Sequence, residues 1–355
     1  MELKPLKIGD ITAKYPIVQG GMGIGISLSS LAGAVAKEGG IGVISAAQPG
    51  FMEDDFYTNT TPANMRTLSY HIKRAKEISN GGIIGVNLMV VSKQYEEYVK
   101  CIIDSGADLI ISGAGLPLDL PKYAEGSSIK LCPIVSSAKA ANVILTRWMK
   151  KYKRLPDMIV IEGPKAGGHL GFKESEVLSV TDEEMDLEIK KILDIRDKFS
   201  KQYNKEIPVI FGGGVFDRAD IDHCLSLGLD GVQMATRFVA TKECDASDAF
   251  KQAYINASEG DAKIVKSPVG MPGRAINNVF VKRVESDPPK VTRCFNCMHR
   301  CDPKTTPYCI SLALFNAAKG DLENGLIFCG ANVGKVNKMT TVHEIFEELT
   351  KEQQQ

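Results

Sequence analysis

The chain has 355 residues, with 43 basic and 43 acidic side chains and 44% hydrophobic residues. That length suits one large α/β domain or two small ones, and zero formal net charge removes any electrostatic pull toward nucleic acid or a membrane surface. The opening Met1-Glu2-Leu3-Lys4-Pro5 carries no apolar signal core, no uncharged apolar run reaches spanning length, and nine cysteines without a secretion signal argue against a disulfide framework; a soluble cytoplasmic protein is expected.

From residue 16 to about 240, short apolar runs alternate with amphipathic stretches. Ile17-Val18-Gln19-Gly20 reads as a first strand, and a helix over Ser27 to Lys37 is stopped by Gly39-Gly40. Ile41-Gly42-Val43-Ile44 is the second strand, followed by a long loop from Ser45 to Thr60. Thr61-Pro62 suits an N-cap with proline at the first helical position, opening a helix to Asn80. Ile83 to Asn87 is the third strand, with a helix from Gln94 to Asp104, and Asp108 to Ser112 is the fourth. Leu131 to Val135 is the fifth and leads into a helix through Met149 whose basic end suits a helix C-terminus. Met158 to Ile161 is the sixth. Thr181-Asp182-Glu183-Glu184 has the form of a capping box for a helix to about Ser200. Pro208 to Phe211 and Gly231 to Met234 are the seventh and eighth strands, separated by a helix from Asp217 to Leu227.

Eight near-continuously apolar strands in eight βα steps suit strands buried on both faces. The fold class is therefore α/β, with a (β/α)8 TIM barrel followed by a C-terminal extension. An open doubly wound sheet is the alternative, but Gly21-Met22-Gly23-Ile24-Gly25 lacks the third glycine of a dinucleotide fingerprint. The expected division is a barrel over residues 1–260 and an extension over 261–355 that covers the barrel mouth. In the extension Val279-Phe280-Val281 looks strand-like, two short helices cover Ile310 to Lys319 and Val342 to Lys351, and Gln353 to Gln355 should fray.

Barrels of this kind bind ligands at the C-terminal ends of their strands. Those positions hold Gly21, Met22 and Gly23, then Asn87, Ser112-Gly113, Lys139 (which also reads as a surface lysine) and Glu162, and finally Gly212 to Gly214 and Gln233 to Thr236. Gly213, Gly214, Ala235 and Thr236, after the last two strands, suit a phosphate held by backbone N–H groups. Asn87, Glu162 and Gln233 end apolar strands and need partners if buried; a heteroaromatic ring such as a flavin offers them. The run from Glu162 to Gly171 sets His169 among Gly167, Gly168 and Gly171, where a proton donor or acceptor sits beside a backbone that a ligand can approach closely. Taken alone, that run also suits a simple turn. His71, His223 and His343 fall in helical stretches and read as surface or packing residues, and Trp148 reads as helix packing.

Cys294, Cys297, Cys301 and Cys309 form a C-x2-C-x3-C-x7-C cluster. Thiols so spaced suit zinc or an iron–sulfur cluster, with His299 and Cys329 as alternative ligands. A reduced loop packed on the barrel mouth is the other reading.

Pro16 to Met22, Gly85-Val86-Asn87, Glu162 to Gly171, Phe211 to Gly214 and Gln233 to Phe238 together resemble the nitronate monooxygenase (2-nitropropane dioxygenase) superfamily of FMN-dependent barrels, which includes enoyl-acyl-carrier-protein reductase II. The likeness spans roughly residues 8 to 242. It implies FMN held by Gly21, Met22, Gly23, Asn87, Glu162 and Gly167, with Gly168, Gly213, Gly214, Gln233, Met234, Ala235 and Thr236, and His169 as the catalytic residue. Gly20-Gly21 replaces the Ala-Pro of typical nitronate monooxygenases, and Leu170 stands where they often carry arginine; both look more like the enoyl reductase branch. The long C-terminal segment exceeds what that reductase carries, and Ala235 replaces the usual glycine. The implied activity is oxidation of alkyl nitronates by O2 to carbonyl compounds and nitrite. An NAD(P)H-dependent reductase acting on an enoyl or quinone acceptor is the alternative, and a non-catalytic flavin-binding protein the third. The partners expected are a small-molecule substrate and, at most, a second copy in a homodimer.

Overall fold

The computed structural model describes residues 2–299 and 301–351, so the glutamine end lies outside the described residues. Eight parallel strands close into a barrel in chain order: β1 (Ile17–Gln19), β2 (Ile41–Ser45), β3 (Ile83–Met89), β4 (Leu109–Gly113), β5 (Lys130–Val135), β6 (Ile159–Glu162), β7 (Val209–Gly212) and β8 (Gly231–Met234). The ring closes where β8 pairs with β1, Val232 opposite Ile17 and Met234 opposite Gln19. This is the (β/α)8 barrel expected from the alternation, with strand ends within two residues of the sequence reading.

Alternation along the strands explains why their middle positions are apolar on both faces. Successive side chains point to opposite faces. Val18, Val43, Ile111, Val160 and Ile210 fill the barrel interior. Ile44, Val86, Ile110, Ile161 and Val209 face outward into the layer under the helices. A hairpin that the sequence reading missed, Leu6–Ile8 paired with Ile11–Ala13, puts Leu6, Ile8 and Ala13 into the interior cluster. Its strands are only three residues long, too short for a period to register.

Thr181 caps the helix Asp182–Tyr203 as its capping box suggests, accepting the Glu184 N–H at 3.2 Å. The helix expected from Thr61 covers Thr60–Ser79 instead, with Asn59 as N-cap and Pro62 inside the first turn. Trp148 is fully buried and donates to the Pro117 carbonyl at 3.1 Å.

Two features of the extension differ from expectation. Val279-Phe280-Val281 is not a strand but the first turn of a helix, Val279–Ser286. Asn278 caps it, accepting the Val281 N–H at 3.1 Å, while Phe280 and Val281 are buried; cap and burial outweigh β-branched propensity. Ala262–Lys266 and Pro272–Ile276 form an antiparallel hairpin that takes the two residues Gly168–His169 as its third strand. The helices Ile310–Lys319 and Val342–Thr350 are where the sequence places them.

Candidate active site

A cavity of about 270 Å³ opens at the C-terminal ends of the strands, many times the space one water fills. Twelve of the thirteen positions expected at a cofactor, and His169, line it. Gly21, Met22 and Gly23 form the loop after β1, which Ser27 holds by accepting the Met22 N–H at 2.7 Å. Asn87 enters from β3 and donates to the Ile111 carbonyl at 3.4 Å. Gly213 and Gly214 follow β7, and Gln233, Ala235 and Thr236 come from the end of β8.

Burial shifts the titration of both Glu162 and His169. Glu162 accepts the Gly171 N–H at 2.7 Å. Burial pushes its carboxyl up to about 7, partly offset by that N–H. Burial alone pushes His169 down to about 4, so the imidazole is neutral at pH 7. Both side chains are of intermediate burial and line the cavity. Phe328 lies edge-on to the His169 ring, with centroids 5.0 Å apart.

Two observations suit a bound ligand with a phosphate and a donor-rich ring. The first is Gln233, whose Oε1 is buried with no hydrogen-bond partner among the described residues; leaving such an acceptor unpaired is costly. The second is the glycine cradle. Gly213 has φ +130°, and a Cβ there would stand 2.8 Å from the Gly163 carbonyl. Only glycine fits that site, and its backbone is left open to an approaching group.

Met234, Lys139 and the cysteine loop are the remaining expected positions. Met234 does not line the cavity; it is 1% exposed and packs in the outer core, because side chains alternate along β8 and Gln233 takes the inward position. Its backbone still matters, since its carbonyl accepts the Gly20 N–H at 2.8 Å. Lys139 is exposed and away from the cavity. Cys294, Cys297, Cys301 and Cys309 are free thiols, and among the described residues no group of three or more His, Cys, Asp or Glu is arranged to hold a metal ion. His299 and Cys329 add no such group. Cys297 instead lines the cavity, and Phe295 is stacked on Phe56.

Of the remaining histidines, His71 bonds Ser29 Oγ at 2.9 Å, His223 meets Asp186 and His343 meets Glu38.

The sequence places the extension over the barrel mouth but does not name the residues it brings to the site. Gly330 donates to Thr236 Oγ1 at 3.2 Å, Ala331 donates to the Lys165 carbonyl at 3.1 Å, and Asn332 donates to the Gly214 carbonyl at 2.5 Å. A Cβ on Gly167 would sit 2.6 Å from the Cys329 backbone, so the histidine loop and the extension touch main chain to main chain. Met298, Ile310, Leu314, Leu326 and Phe328 add an apolar wall. No local pattern announces these contacts, which join residues 90 or more positions apart.

A family model described as nitronate monooxygenase matches residues 4–352. A probable nitronate monooxygenase of Staphylococcus aureus (strain Newman) is 28% identical over 299 residues, covering 77% of this chain and 78% of the relative. One from Staphylococcus saprophyticus is 24% identical over 349 residues, covering 91% and 89%. Among solved structures, FabK from Thermotoga maritima superposes with a TM-score of 0.73 at 25% identity, covering 95% of this chain and 92% of that one.

Proposed function

The chain belongs to the nitronate monooxygenase family, and from that premise we propose that it is an FMN-dependent oxidoreductase that converts alkyl nitronates and O2 into carbonyl compounds and nitrite. The observation that carries this reading is a neutral, half-buried His169 sharing one cavity with the unpaired acceptor of Gln233 and the glycine cradle at Gly213.

Backbone N–H groups at Gly213, Gly214, Ala235 and Thr236 would hold the FMN phosphate. Gln233, Asn87 and Glu162 would meet the polar edge of the ring, with the loop Gly21 to Gly23 beside it. When bound, FMN supplies the oxidation–reduction chemistry. The chain's own residues bind and orient the substrate. A neutral imidazole can donate an N–H to a nitronate oxygen without burying a second charge, and the surrounding apolar groups strengthen that bond by excluding water.

The test is nitrite release from an alkyl nitronate in air by the FMN-loaded protein. His169→Ala should lower kcat/KM by about 10²- to 10⁴-fold, the usual reach of a positioned acid–base group. Absence of nitrite from the loaded protein, or wild-type turnover by the variant, overturns the reading.

The apolar wall of Met298, Ile310, Leu314, Leu326 and Phe328 favours a second reading, an NAD(P)H-dependent reductase whose enoyl or quinone acceptor lays its apolar part there. Anaerobic bleaching of the flavin absorbance by NAD(P)H alone supports that reading; nitrite release in air without such bleaching supports the first.

A further inference from the structure

We infer that Ser267 is a positioning residue for His169: its hydroxyl donates to Nε2 and holds the imidazole as the tautomer protonated on Nδ1. The functional consequence rests on the reading above, in which His169 meets the substrate; the tautomer itself does not.

The extension brings the two residues together. Gly168–His169 is the third strand of its sheet, with His169 opposite Gly273 and Gly168 opposite Arg274. Leu170 continues the pairing by donating to the Pro272 carbonyl at 2.9 Å. Arg274 returns across the sheet to donate to the Ala166 carbonyl. Ser267 opens the turn of the same hairpin and is 8% exposed. Its main chain is tied at both ends, N–H to the Met271 carbonyl at 3.2 Å and carbonyl to the Gly270 N–H at 3.0 Å. Its side chain therefore stands at a set place, with Oγ 2.6 Å from His169 Nε2.

Counting protons assigns the direction of that bond. A serine hydroxyl carries one hydrogen and can accept two. Ser267 Oγ accepts the Val269 N–H at 3.4 Å. Among the described residues, His169 Nε2 is the acceptor within reach of its hydrogen. If Nε2 carried the ring proton, the hydroxyl hydrogen would be left unspent in a buried turn, at the cost of an unmade bond. Donation from Ser267 to Nε2 satisfies both groups and leaves the ring proton on Nδ1, which has no partner among the described residues. The titratable groups nearby are Glu162 and Lys165 on the cavity, Cys329 beside Gly167, and Arg274 on the pairing strand. None of them offsets the burial that keeps the ring neutral.

The tautomer limits the chemistry. With Nε2 engaged and Nδ1 protonated, neither nitrogen is free to take a proton from carbon. His169 then acts as a hydrogen-bond donor to a substrate that arrives already ionised, a nitronate rather than the neutral nitroalkane. Ser267 touches no substrate in this account and works through the histidine.

The tautomer is read by nitrogen NMR of the full chain with ¹⁵N-labelled histidine, with and without FMN. The His169 signals are those that vanish in His169→Ala. The wild type should show a protonated Nδ1 and an unprotonated Nε2; the reverse pattern overturns the inference, and this measurement needs no Ser267 variant. Ser267→Ala should populate both tautomers and lower kcat on the nitronate by about 10- to 100-fold, as loss of an orienting partner does, with KM nearly unchanged. Ser267→Thr, which keeps the hydroxyl, should restore both readouts. Unchanged tautomer signals and kcat in Ser267→Ala overturn the inference. If instead His169→Ala keeps its turnover while the wild-type tautomer is as stated, the proposed function fails and the role of Ser267 in holding the ring stands.

Discussion

Glu162 follows a run of three wholly buried residues, Ile159-Val160-Ile161, and its carboxyl lines the cavity and accepts the Gly171 N–H. Its folded value, about 7, lies above the ordinary 4.5. The fold therefore favours the protonated form, and that contribution is full below pH 4.5 and lost as pH rises through 7. Glu162→Gln keeps an acceptor for Gly171 but cannot ionise. In cofactor-free protein its unfolding free energy from urea titration should gain on the wild type between pH 5 and pH 8, by on the order of 2 kcal/mol; a pH-independent difference contradicts this. Gly213 makes a second residue-scale prediction. Gly213→Ala forces a Cβ against the Gly163 backbone at positive φ, so FMN affinity should fall at least about tenfold, the equivalent of roughly 1.4 kcal/mol, as measured by flavin fluorescence titration. Both residues were legible in the sequence because each ends an apolar strand. Ser267 was not, because a serine in a Pro- and Gly-containing turn looks like any other until the chain folds it back onto residue 169.

Helix Ser29–Lys37 shows how elements are held by distant parts of the chain. Its N-cap position is Leu28, which offers no side-chain acceptor. Asp245, beyond β8, takes that role and accepts the N–H groups of Leu28, Ser30 and Leu31 at 2.8, 3.1 and 3.2 Å. A carboxylate at a helix N-terminus also meets the positive end of the dipole. Asp245→Ala should cost about 2–3 kcal/mol by urea unfolding, since it leaves charge-assisted bonds unmade; a loss under about 0.5 kcal/mol would contradict this. Local capping signals such as Thr181 to Glu184 are readable in sequence because donor and acceptor are three residues apart. The Asp245 cap spans more than two hundred, so nothing near Leu28 announces it. The helix at Val279 was misread for a related reason: three β-formers in a row hid the cap at Asn278 and the buried face that decided the outcome.

Across the whole molecule, barrel and extension share one core. Phe315 of the extension is 1% exposed and packs on Phe51 and Phe56 of the loop after β2 and on Phe295 of the cysteine loop, with ring centroids 5.5, 5.4 and 5.1 Å away. Phe315→Ala should cost about 3–5 kcal/mol and open the 290–310 segment to limited proteolysis, while barrel and extension still unfold in one transition. Two separated transitions would show that the parts are independent. The sequence by itself determined the eight-stranded barrel, its order, and the small and polar residues at the strand ends, because short apolar runs, glycine after a strand and capping residues act over a few positions. Only the tertiary structure decided which residues complete the site: Ser267 on His169, Gly330 on Thr236, Asn332 on Gly214, and the packing of the cysteine loop. Those contacts depend on where a distant segment lands, which is set by the shape of the shared core and leaves no mark on the spacing of neighbouring residues.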